Sequence, residues 1–302
     1  MAFRWLIVLL FSALTLQGQQ LADTLYTPSL PRPLYEAGKG PLILIDEGHH
    51  NFHTRQGRYT AFAGLLERDG YRVESALGYF QEQTLDEARI LVISNALHKS
   101  NVSDWFLPNP SAFTPEEIEY LNRWVKGGGR LFLIADHMPL AGAASDLAAS
   151  FGFEFTNGFV FESNGKVPSV FSLDQQTLQP SSITKGRTPM ESVTEVATFT
   201  GQAFKIPENA QSVLTFSENF TNLLPDTAWV FTDKTPRIPA QGWHQGAFMA
   251  YGQGKLVVFG EAAMFSAQLA GPEKRKMGMN HPRATQNYQL LLNIIHWLDD
   301  QL

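Results

Sequence analysis

The chain has 302 residues, 44% hydrophobic and 17% charged, a composition that folds instead of staying disordered. Its net charge of −6 excludes the basic face that nucleic-acid binding requires. Without cysteine there is no disulfide framework, thiolate ligand or thiol nucleophile, so any metal must rest on histidine, carboxylate or amide oxygen.

Residues 1–20 read as a secretory signal peptide. Arg4 precedes an apolar core from Trp5 to Leu16, and Gly18 supplies a small residue before Gln19 and Gln20. An apolar stretch of about twelve residues falls short of the roughly twenty that span a bilayer. The expectation is a secreted or periplasmic protein, not stably inserted in a membrane once cleaved, with residues 23–302 as one domain.

After a proline-rich lead-in from Pro28, β-like and helix-like segments alternate. Pro41 to Asp46 is an apolar run that reads as a buried strand. Arg58 to Asp69 places Tyr59, Phe62, Leu65 and Leu66 on one helix face, and Gly70 stops it. Tyr71 to Leu77 and Ile90 to Asn95 read as the next strands, the latter after a short helical turn begun at Thr84.

Thr114-Pro115-Glu116-Glu117 is a capping box with proline at the first helical position; the helix it opens runs to about Lys126 and ends at Gly127-Gly128-Gly129. Arg130 to Asp136 is a fourth strand, and Ala141 to Phe151 its crossover helix. From about residue 153 to 235 the pattern loosens into β-like pieces and turns. The α/β rhythm returns with Phe248 to Tyr251, Lys255 to Gly260 and a last helix from about Arg283 to Leu298. Such alternation predicts an α/β fold with a mainly parallel sheet, helices on both faces, and a β-rich elaboration at about 153–235.

Ligands in open α/β sheets bind beyond the carboxyl ends of the strands, and there the polar candidates gather. The first loop carries Asp46, Glu47, His49, His50 and His53. Asn95 and His98 follow the third strand, Asp136-His137 the fourth, Glu261 the last, and Asn280-His281 a nearby loop. His49 and His53 are four apart, one helix face if the turn is helical; with Asp46 they are candidate ligands for a divalent metal such as zinc that keeps a position open for water. Asp136, His137, Glu261 and Glu47 are the candidate acid/base groups, and Asn95, His50, Asn280 and His281 the candidate substrate contacts.

Structural roles stand beside each of these. Asp46 and Asp136 serve equally well as caps of the turns they begin. A lone loop histidine is more often solvated or packed than a ligand, which weighs on His50 and His98, and more on His244 and His296. Trp105, Phe106, Trp229, Phe231 and Trp243 include candidates for a sugar-stacking wall, although core packing is the commoner fate of such residues. No Gly-x-Ser-x-Gly elbow occurs, which argues against a serine triad.

The strand Leu42 to Asp46 with its histidine loop, the run Phe113-Thr-Pro-Glu-Glu through Gly-Gly-Gly-Arg130 to Asp136, and the closing Phe259-Gly-Glu-Ala-Ala-Met-Phe with Asn293-Ile-Ile-His-Trp-Leu resemble the class I glutamine-amidotransferase-like superfamily. Within it the chain is similar to exported proteins related to the GldG and intraflagellar-transport (GIFT) domains and to ThuA-like proteins. That resemblance implies a flavodoxin-like three-layer sandwich. Glutaminase chemistry does not carry over, since its nucleophile is a cysteine. The pocket then implies either a hydrolase, metal-assisted or not, acting on a small or carbohydrate-like substrate, or a GIFT-like module that binds a saccharide without turnover. A scaffold using the 153–235 segment is a third reading.

Overall fold

The computed structural model describes residues 20–81 and 85–302. The expected leader before Gln20 and the turn expected at Thr84 lie outside the described residues. No described helix is long and apolar enough to cross a membrane.

Nine strands form the main sheet: β1 (Leu42–Asp46), β2 (Arg72–Ala76), β3 (Ala88–Ser94), β4 (Arg130–Ile134), β5 (Glu154–Phe155), β6 (Phe204–Lys205), β7 (Gln211–Thr215), β8 (His244–Tyr251) and β9 (Gly254–Phe259). Their order is β2-β1-β3-β4-β9-β8-β6-β5, with β7 also paired to β8. Pairing from β2 through β9 is parallel, and beyond β9 it is antiparallel. The sheet is therefore mixed, which corrects the expectation of a mainly parallel one: part of the 153–235 segment joins the same sheet instead of lying on it. The rest of that segment, with its neighbours, builds smaller antiparallel sheets, Phe159–Glu162 with Phe220–Leu223 and Arg237–Pro239, and Ser169–Ser172 with Glu195–Thr198. A further one joins Gln20–Ala22, Ala267–Ala270 and Arg275–Gly278.

Alternate residues of the parallel strands enter two cores, as a period of two demands. Ile43, Ile45, Val92, Phe132, Ile134, Val257 and Phe259 pack with α1 (Thr60–Arg68) and the last of the long helices, α4 (Asn287–Leu298). Leu44, Leu91, Ile93, Leu131, Leu133 and Val258 pack with α2 (Pro115–Lys126) and α3 (Leu140–Ser150) on the other face. The single apolar side expected of the last helix is too narrow a description: every residue from Leu290 to Leu298 is buried. Its polar members are consumed internally, Asn293 donating to the carbonyls of Ile183 and Glu191, and His296 Nε2 lying 2.6 Å from Asp69.

The turn after β1 is held by a buried ion cluster. Asp46 accepts from His49 Nδ1 at 2.9 and 3.0 Å, from the Gly48 N–H at 3.1 Å and from Asn51 Nδ2 at 2.9 Å. The other ring nitrogen, Nε2, donates to Glu117 Oε1 at 2.9 Å. That oxygen also takes the Phe80 N–H, while Oε2 takes the Thr114 N–H as the reciprocal arm of the capping box. Gly48 has no alternative here, since a Cβ would lie 2.2 Å from the Gly78 carbonyl oxygen.

Burial alone would lower the His49 pKa, yet hydrogen bonds and charge from Asp46 and Glu117 outweigh it and push it up to about 9. Burial likewise opposes the Glu117 carboxylate, but the His49 bond and the Thr114 and Phe80 N–H groups hold it below its ordinary value. A raised folded-state pKa stabilises fully below the unfolded value of 6.5 and is lost as pH rises through about 9. The contribution at stake is on the order of 3 kcal/mol. A His49→Gln variant should therefore unfold at lower denaturant than the parent, and the gap should narrow as pH rises from 6.5 to about 9. Denaturant melts across that range test this, and a gap independent of pH would contradict the charged state of the ring.

Candidate functional site

Four neighbouring strands, β1, β3, β4 and β9, deliver polar side chains to a hollow of about 130 Å³ at their carboxyl ends. His53, Asn95, Asp136, His137 and Glu261 line it, walled by Phe52, Trp105, Phe199 and Trp229. A larger cavity, about 200 Å³, lies between the lead-in at Ser29–Arg32 and the last helix. Its charged Arg187 and Glu191 are bound to each other at 2.6 Å, leaving fewer free polar groups facing inward.

Asn95 organises the first hollow. It adopts φ 51°, a left-handed conformation that asparagine tolerates better than most side chains. Its Oδ1 accepts the Asp136 N–H at 2.8 Å, and its carbonyl accepts the Phe52 N–H at 2.9 Å. This fixes the amide so that Nδ2 donates to His53 Nδ1 at 3.1 Å, which puts the proton of a neutral His53 on Nε2. Burial, helped by the Arg58 charge, pushes the His53 pKa down to about 3, so the ring is neutral. Its Nε2 has no partner among the described residues.

His137 has the opposite tautomer. Nδ1 donates to the Met138 carbonyl at 2.7 Å, leaving Nε2 as an acceptor with no partner among the described residues. The ring stacks on Phe159 at 4.1 Å and stands 4.8 Å from the Trp229 ring. Asp136 Oδ1 accepts the His137 N–H at 2.9 Å, while Oδ2 has no partner among the described residues.

Glu261 is fully enclosed. Its oxygens accept the Ala263 and Met264 N–H groups at 2.8 and 2.9 Å, capping the short 3₁₀ turn Ala263–Phe265. Burial first, then the negative charge of Asp136, raises its pKa well above the ordinary value, and the backbone N–H groups only partly oppose this. The Ala263, Met264 and Phe199 N–H groups take three of the carboxyl's four acceptor sites and leave one, which can carry a proton for donation to a ligand.

The other expected residues lie elsewhere. His49 and His53 do not share a helix face, because Glu47–Thr54 is an irregular turn. With both nitrogens of His49 bound to Asp46 and Glu117, the expected metal set of Asp46, His49 and His53 is not assembled, and no group of three or more His, Asp or Glu able to hold a metal occurs among the described residues. Glu47 is turned away from general-base work: it accepts from the Arg55 N–H at 2.7 Å and Ser75 Oγ at 2.9 Å. His50 is exposed and does not line the hollow. Asn280 donates to Asp23 and the Gln268 carbonyl, and His281 packs edge-on to Phe199, one layer behind the wall.

Of the aromatic candidates, Trp105 and Trp229 face the hollow, whereas Phe231 packs behind Phe159 and Trp243 sits beneath Lys205. Missing from the sequence reading were Phe52, Phe199, Thr200 and Gln268, which also line it. Phe52 was detectable as the neighbour of His53. Phe199 and Thr200 lie in the bend after the short strand Glu195–Thr198 and Gln268 in the four-residue strand Ala267–Ala270, pieces too short to carry a periodic signal.

No family model and no curated protein matches the chain. Among solved structures it is similar to the mmIFT52 N-terminal domain, at 16% identity and a TM-score of 0.59 over 85% of this chain and 96% of that one. ThuA-like proteins from Bacteroides uniformis (10% identity, TM-score 0.47, 89% and 95% covered) and Parabacteroides merdae (13%, 0.45, 86% and 90%) are also similar. At such identities the likeness is one of fold, a mixed α/β architecture, and says nothing about chemistry.

Proposed function

We propose that the chain is an exported hydrolase whose His/carboxyl hollow cleaves a small, carbohydrate-like substrate. One observation carries the reading: a buried Glu261, whose pKa burial and the neighbouring Asp136 charge push well above the ordinary value, in a hollow walled by indoles. A carboxyl whose environment raises its proton affinity, set beside a second carboxyl, is the arrangement an acid and base working together require. Glu261 gives its proton to the leaving oxygen as the bond breaks. Asp136 Oδ2 takes a proton from the water that replaces it, and His137 Nε2 accepts a hydrogen bond from a substrate hydroxyl. No step of this scheme is routed through a divalent metal, because Asp46 and His49 are bound to each other and to Glu117, away from His53.

The likeness to the mmIFT52 N-terminal domain supports placing the chain in the class I glutamine-amidotransferase-like superfamily beside the GldG and intraflagellar-transport branch. The order β2-β1-β3-β4-β9 of the parallel strands supports a flavodoxin-like reading of that half of the sheet. The leader pattern supports export, so protein recovered from the periplasm or medium should have lost the segment up to about Gly18–Gln20; an intact Met1 on N-terminal sequencing would refute it.

Turnover should appear in a panel of nitrophenyl glycosides and esters. Glu261→Gln and Asp136→Asn should each lower kcat by about 10²- to 10⁴-fold. The alkaline limb of the kcat/KM profile should lie above the ordinary carboxylate range, where a raised acid loses its proton, and should disappear in Glu261→Gln. Saccharide binding without turnover would favour a non-catalytic module, and full activity in both variants would end the proposal.

A further inference from the structure

Trp229 occupies a backbone conformation that its side chain disfavours. Residues 227–230 form a tight turn closed by the Val230 N–H on the Thr227 carbonyl at 3.1 Å, with Trp229 third in the turn at φ 66°. Glycine or asparagine belongs there. The conformation is imposed from outside: the Leu107 N–H binds the Asp226 carbonyl at 2.9 Å, and the Ala228 N–H binds the Trp105 carbonyl at 2.8 Å. Strain of this kind persists where the surroundings over-determine the backbone, and it clusters at ligand-binding positions.

The turn presents the indole. Its ring stands 4.8 Å from both His137 and Phe159, yet the residue remains 52% exposed. Trp105 flanks His137 at 6.2 Å and Phe52 at 5.4 Å. Phe106, Leu107 and Val230, all about half exposed, continue the apolar surface outward from the pairing of Phe106 with Thr227. A run of large apolar side chains next to a polar hollow marks a contact for something larger than the hollow holds. Asp136 and Glu261 are buried while Trp229 is the most exposed of the lining aromatics, so the indole stands at the rim between the carboxyls and solvent.

We infer that Trp229 is a specificity-determining residue that stacks on the second ring of a saccharide of two or more rings, with Phe106, Leu107 and Val230 extending the platform. The inference rests on the carbohydrate hydrolase reading and narrows its substrate class from a single sugar to the end of a longer chain.

Calorimetric titration of the mature protein with maltose, cellobiose and lactose, each against its methyl monosaccharide, tests it. At least one disaccharide should bind about tenfold more tightly than its monosaccharide. Trp229→Gly should weaken the disaccharide about tenfold more than the monosaccharide and so erase that margin, and Trp229→Phe should keep most of it. Because glycine fits the turn, Trp229→Gly should also melt about 2–4 °C above Trp229→Ala, against the usual ranking of the two residues. A disaccharide margin that persists in Trp229→Gly, or the reverse melting order, overturns the inference. Monosaccharide binding with no disaccharide advantage in the parent refutes the role of Trp229 alone, whereas failure of every sugar to bind also refutes the carbohydrate reading.

Discussion

The carboxyl-end face of the sheet depends on one buried imidazole. His49 bridges Asp46, the last residue of β1, to Glu117, in the first turn of α2 and 68 residues from His49, and so ties a strand end to a helix start. Three ionised groups out of water would be costly if unpaired. Here each carboxylate oxygen finds a donor: Gly48 and Asn51 serve Asp46, and Thr114 and Phe80 serve Glu117. Removing any one member strands the others as buried, unpaired charges, so the cluster fixes the geometry of the turn as well as stabilising it.

That geometry propagates by hydrogen bonds to the hollow. With the turn fixed at His49, the chain passes Asn51, whose Nδ2 also reaches the Ser94 carbonyl at 3.2 Å, and brings His53 against Asn95. Asn95 in turn holds the Asp136 N–H. Adjacent strands β1, β3 and β4 are thus stitched at their ends by side chain to backbone bonds, and the strand order reverses between β1 and β3, where crevices open in such sheets. The two histidines leave this network with opposite tautomers, His53 with its proton on Nε2 and His137 with a lone pair there.

The regular elements were legible because burial has a period. The five-residue strands, the capping box at Thr114 and the glycine stops came through to within a few residues, since each is a local statement about one segment. The convergence of His53, Asn95, Asp136, His137 and Glu261 followed from strand polarity alone. Distinguishing His49 from His53 did not, because spacing says nothing of which partner an imidazole meets. Glu117, read only as a capping residue, turns out to be that partner. The antiparallel half was illegible for a related reason: strands of two to five residues such as Phe204–Lys205 take their register from distant neighbours and not from their own pattern.

That half explains why Glu261 is so deeply buried. Gly201, at φ 85°, approaches so closely that a Cβ would stand 2.2 Å from the Gly260 carbonyl oxygen and 2.8 Å from the Glu261 Cβ. Beside it Gln202 donates its N–H to that carbonyl and its Nε2 to the Ala135 carbonyl, spanning the ends of β9 and β4. The segment between Phe199 and Gln202 therefore forms a lid over Glu261, leaving it 1% exposed where Asp136 keeps 8%. Desolvation is the largest influence on the Glu261 proton, and a segment remote in sequence supplies it. The β-rich segment therefore shapes the hollow as much as the parallel strands do, since it supplies the burial that raises the Glu261 pKa.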